Sequence, residues 1–144
     1  MKIGIIIVTH GQMAEGLKQT LFSILGEKDK VVSLSVTTES TLDSLYEKII
    51  NLVEMLNTEH VVIFTDMLGG TPCNVALKVC KTKKNVHIVS GVNLYMLISA
   101  IHLREQYENV DGFNIQEYID KILTDGKNCI IYVNQFFKDK LNKM

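Results

Sequence analysis

A single proline stands in these 144 residues, and no stretch is rich in serine and glycine. Internal repeats and low-complexity tracts are absent too. Without a linker at which to divide the chain, we expect one domain over residues 1–134, with a lysine-rich tail over 135–144. No apolar run approaches the roughly 18 residues that span a bilayer. The amino terminus lacks the basic start and small-residue cleavage site of a signal peptide. A cytoplasmic protein with no direct membrane insertion is therefore expected. The cysteines, Cys73, Cys80 and Cys129, are odd in number and form no C-x-x-C pair, so they read as reduced, buried thiols. Net charge is -1, with no basic block before the tail, which argues against a nucleic-acid partner. His60, His87 and His102 have no metal-ligand spacing to one another. Neither a metal nor a cofactor is expected.

What is present alternates strand and helix. Strand one is Lys2–Val8, within an unbroken, β-branched run from Ile3 to Thr9 of the kind found in a buried parallel strand. Met13–Leu25 reads as an amphipathic helix through Leu17, Leu21, Ile24 and Leu25, and Gly26 ends it. Strand two is Val31–Val36. Ser40 and Asp43 make a capping-box-like start to a helix whose stripe is Leu42, Leu45, Ile49, Leu52, Val53 and Leu56. Strand three is His60–Thr65. Thr71 reads as the cap of the next helix, with Pro72 at its first position. Strand four is Val86–Ser90. Helices follow over Asn93–Gln106 and Ile115–Leu123, then a last strand over Asn128–Val133. Gln135–Met144 is expected to hold no more than a helical turn or two. This order implies an α/β fold, an open doubly wound and mostly parallel sheet with right-handed crossovers. Its first strands should lie centrally.

Two strand ends carry chemistry. Strand one runs into Thr9-His10-Gly11. Strand three runs into Asp66-Met67-Leu68-Gly69-Gly70-Thr71-Pro72-Cys73-Asn74. Parallel strands put His10 and Asp66 on the same edge of the sheet, where open α/β folds bind ligands. If the two strands are neighbours, the carboxylate fixes the imidazole tautomer and leaves the other ring nitrogen free to attack. Gly69 and Gly70 admit close backbone approach, and the helix opening at Thr71 favours an anion. Together these parts describe a site that takes a phosphoryl group onto histidine. Neither motif contains lysine or arginine, which suits a carrier better than a phosphatase that must clamp phosphate. Thr9 and Asn93 are further candidates for the pocket wall. Asn93, in Ser90-Gly91-Val92-Asn93, is equally suited to capping the fourth helix.

These stretches resemble the IIA components of mannose-type sugar phosphotransferase systems. The resemblance rests on Thr9-His10-Gly11 with Ala14-Glu15-Gly16, on Asp66 to Asn74, and on Ser90 to Leu94 with Met96-Leu97. One departure is Tyr95, where the family often has proline. The resemblance implies a phosphotransferase in which HPr phosphorylates His10 and His10 passes the group to a IIB component. That component serves a IIC/IID sugar permease. Asp66 would hydrogen-bond the histidine, and Gly69 to Thr71 would lie against the phosphoryl group. The family fold adds a fifth, antiparallel strand exchanged between the subunits of a homodimer, with Asn128–Val133 as its counterpart here. IIB would be a separate polypeptide. Two alternatives stand beside this reading. One is the phosphoryl-donor subunit of dihydroxyacetone kinase. The other is a regulatory module whose phosphorylation state is read by a partner.

Overall fold

The computed structural model describes residues 1–144. The elements in chain order are β1 (Ile3–His10), α1 (Met13–Leu25), β2 (Val31–Val36), α2 (Leu42–Leu56), β3 (His60–Thr65), α3 (Thr71–Thr82), β4 (Val86–Ser90), α4 (Leu94–Tyr107), α5 (Ile115–Asn128), α6 (Val133–Phe136) and α7 (Lys138–Asn142). All four strands are parallel, in the order β2-β1-β3-β4. The doubly wound sheet is as expected. β1 and β3 are central, but β2 lies at an edge.

Alternation along β1 explains the two-sided core. Ile3, Ile5 and Ile7 face α1, α4 and α5, together with Val62, Phe64, Leu97 and Tyr118. Ile6 and Val8 face α2 and α3, among Leu45, Ile49, Ile63 and Val75. Ile3 and Ile5 through Val8 are wholly buried, and each such side chain contributes about 1.5–3 kcal/mol by leaving water. A charge placed anywhere in that run would break the fold. His10 escapes the constraint because it emerges at the sheet edge, exposed, as the last residue of the strand.

Helix ends follow local chemistry. The Gly26 amide closes α1 on the Phe22 carbonyl. Thr41, not Ser40, caps α2, its side chain accepting from the Ser44 amide, while Ser40 accepts from the Thr37 amide. Gly70, not Thr71, occupies the cap of α3, and no side chain caps that helix. The reason is that Thr71 is already helical, which places Pro72 within the first turn, where a missing amide is harmless.

The carboxyl-terminal part differs most from expectation. α5 continues past Leu123 to Asn128, and residues 129–132 form no strand. Gly126, inside that extension, is buried against α4. A Cβ there would stand 2.7 Å from Met96 Cε. The apolar run beyond Asn128 has no strand of its own chain beside it, and β propensity needs a partner to take effect. Its side chains, including Ile130 and Tyr132, are exposed.

Long-range contacts close the fold. Lys2 Nζ donates to the carbonyls of Tyr107 (2.8 Å) and Val110 (2.7 Å). Buried Arg104 donates to the Ile3 carbonyl at 3.3 Å. No helix is long and apolar enough to cross a membrane.

Candidate active site

The connections reverse direction between β1 and β3. β1 leads outward to β2, and the chain then returns to the other side of β1 through β3. The crevice outside such a switch point is where open α/β sheets hold ligands. His10 ends β1, and Asp66 follows the last residue of β3.

The two side chains meet as the sequence suggests. Asp66 Oδ2 stands 2.8 Å from His10 Nδ1 and also accepts from the His10 backbone amide at 3.0 Å. The other carboxylate oxygen accepts from the Met67 amide at 3.0 Å. Burial by itself raises the Asp66 pKa. The hydrogen bonds from His10 and its charge outweigh that and hold the carboxyl below its usual value. Asp66 is thus an anion fixed at three points. It accepts from Nδ1–H and leaves the lone pair of Nε2 available.

Gly70 lies directly against the imidazole, where a Cβ would come within 2.8 Å of His10 Cε1. Gly69 has φ +84°, in the left-handed region that favours glycine. Asn74 Nδ2 donates to the Gly69 carbonyl at 3.2 Å and holds the turn closed. In the first turn of α3, Pro72 has no amide, and those of Thr71 and Cys73 make no backbone hydrogen bond. They are the free donors that a helix start offers an anion.

An open concavity of about 620 Å³ adjoins His10. Its walls are Gly11, Val36, Thr37, Thr38, Ser40 and Thr71. The hydroxyls after β2 escaped the sequence reading, although a Thr-Thr-x-Ser run behind a strand next to β1 was available as a signal. No cation lines this space. Two candidate wall residues lie elsewhere. Thr9 is fully buried. Its hydroxyl accepts from the Ala14 amide at 2.7 Å and donates to the His10 carbonyl, which ties the strand end to α1. Asn93 caps α4, accepting from the Met96 amide at 2.9 Å and donating to the Gly126 carbonyl at 3.1 Å. Backbone groups claim both, so neither faces the cavity.

Comparisons with known proteins identify the family. The profile of the EIIA-man family, described as PTS system fructose IIA component, matches residues 4–131. This chain belongs to the EIIA-man family. Among curated relatives, the PTS system sorbose-specific EIIA component of Lacticaseibacillus casei is 33% identical over 119 residues, 83% of this chain and 82% of that one. The mannose-specific EIIAB component of Escherichia coli K12 is 31% identical over 112 residues, covering 77% of this chain but 35% of that longer relative. The crystal structure of phosphotransferase system component EIIA from Streptococcus agalactiae superposes with a TM-score of 0.80 at 28% identity, over 92% of this chain and 98% of that one. The mannose-type resemblance seen in the sequence motifs is thereby borne out.

Proposed function

We propose that this EIIA-man chain is a cytoplasmic phosphocarrier of a sugar phosphotransferase system. It takes a phosphoryl group from HPr onto His10 Nε2 and passes it to a IIB component serving a IIC/IID permease. The carrying observation is the 2.8 Å contact between His10 Nδ1 and Asp66 beside an open cavity. In the forward step the N–P bond of phospho-HPr breaks as the Nε2–P bond forms. The His10 ring keeps its Nδ1 proton and becomes cationic, paired with the Asp66 carboxylate. Gly69 and Gly70 let the phosphoryl group lie close against the loop, the free amide of Thr71 offers its oxygens a neutral donor, and the rim hydroxyls after β2 stand across from it. A cradle without a cation holds the group loosely enough to release it.

The second part of the proposal is a homodimer in which Asn128–Val133 straightens into a strand and pairs antiparallel with a second copy. Ile130, Tyr132 and Val133 are exposed in the single chain, and an apolar strand edge is satisfied by pairing. Residues 1–134 would form the IIA domain.

The test is labelling with phosphoenolpyruvate, enzyme I and HPr. An acid-labile, base-stable phosphoramidate on wild type, absent from His10→Ala, is expected. Undiminished labelling of His10→Ala would refute the site. Offering the labelled protein IIB and, separately, a nucleotide-loaded dihydroxyacetone kinase subunit identifies the acceptor.

A further inference from the structure

His60 opens β3 and His87 lies in β4, at the end of the sheet away from His10. Their sequence spacing carries no metal signal. Strand pairing creates one. Val62 is registered with His87, so His60, two residues before Val62, shares a face with His87 on the neighbouring strand. His60 Nδ1 and His87 Nε2 stand 3.3 Å apart, and neither has another hydrogen-bond partner. The rings lie with centroids 5.3 Å apart, tilted by 49°.

That separation has chemical meaning. Two imidazole nitrogens, each about 2.0–2.1 Å from one tetrahedral ion, are about 3.3–3.4 Å apart. We propose that His60 and His87 form a two-imidazole site for a divalent transition ion of the Zn²⁺ or Cu²⁺ class, bridging β3 and β4. A small rotation of each ring turns its lone pair from the other nitrogen toward a shared ion. The Phe113 ring, 5.9 Å from His60, packs beside the pair. The nearby cation, Lys2, has its ammonium engaged by two carbonyls. No third histidine, cysteine or carboxylate joins the pair, so water fills the remaining positions and the ion exchanges freely. Imidazole ligands select borderline ions over Mg²⁺ or Ca²⁺.

The proposal is independent of the phosphocarrier reading and is tested on the full, unphosphorylated chain. Calorimetric titration with ZnCl₂ should show one saturable ion per chain. His60→Gln and His87→Gln should each weaken binding at least tenfold, with thermal unfolding in the absence of zinc unchanged. His10→Ala should bind as wild type does. In wild type, paramagnetic Cu²⁺ should broaden the imidazole resonances of His60 and His87 before those of His10 and His102, a readout that needs no variant to fold. Absence of zinc binding, wild-type affinity in either glutamine variant, loss of binding in His10→Ala, or broadening centred on His10 or His102 would each overturn the site.

Discussion

His10 Nδ1 and Asp66 Oδ2 are 2.8 Å apart across 56 positions of sequence. Adjacency of β1 and β3 makes the contact, and it dictates how the imidazole can react. Asp66→Asn should fold normally, because the amide fills the same space, but it removes a charge-assisted hydrogen bond and favours the wrong tautomer. Transfer from phospho-HPr should slow by roughly one to three orders of magnitude. Rapid-quench measurement of phosphoryl transfer reads this, and a wild-type rate would reduce Asp66 to a turn residue.

Gly70→Ala separates position from chemistry. The new methyl group would meet His10 Cε1 at 2.8 Å and Met67 Cγ at 3.2 Å. The ring must swing away, and a displacement near 1 Å is enough to slow a reaction by about a hundredfold. Gly70 does not have a left-handed backbone, so stability should change little. The expected pattern is impaired transfer with a nearly unchanged urea midpoint.

Acid stability reports the same contact in another way. The Asp66 carboxyl has a lowered pKa in the folded protein, so the unfolded chain binds the proton more readily. The stabilisation from this group is present above the ordinary carboxylate range. It is lost as pH falls through the lower folded value. Urea unfolding of wild type and Asp66→Asn should therefore differ at neutral pH and converge as acid is added. Parallel pH curves would contradict the assignment.

The Tyr118 hydroxyl is a buried donor, 2.8 Å from the Ala100 carbonyl, and joins α5 to α4. Burial pushes its pKa well above the usual value, so it stays a donor at any working pH. Tyr118→Phe should destabilise the protein by about 0.5–1.5 kcal/mol, and Tyr118→Ala by about 3–5 kcal/mol. Denaturant titration distinguishes the two.

Association through the last segment has a direct test. Wild type should sediment as a dimer at tens of micromolar, and a chain ending at Asn128 should sediment as a monomer with α5 intact. A wild-type monomer at that concentration, or a dimer that survives the truncation, would refute strand exchange.

Much of this arrangement is legible in the residues. The β-branched runs of β1 and β3 announce burial on both faces, and polar residues at their ends mark the reactive edge. Other features are decided by tertiary packing. The helix read as ending near Leu123 runs on through Gly126, where α5 closely approaches Met96. Asn128–Val133 has the composition of a strand but no partner within its own chain. Asn93 has the chemistry of both a wall and a cap, and the Met96 amide claims it. The Thr37–Ser40 rim reaches the cavity because β2 lies beside β1. The His60–His87 pair exists through the β3–β4 register and leaves no trace in sequence spacing.

The bonds from Arg104 to Ile3 and from Lys2 to Tyr107 and Val110 bear on how the chain is made. β1 precedes every other strand in the chain, yet it is a central strand, and Arg104 reaches its start across 101 positions. Until α4 has emerged, one apolar face of β1 lacks much of its cover and its first residues lack their anchor. Contacts of such long sequence separation close slowly because loop entropy must be overcome before they form. Ile3 and Ile5 through Val8, wholly buried in the fold, are therefore partly bare until α4 is made. A chain interrupted before Arg104 would retain His10 and all four strands but not the anchor at the start of β1.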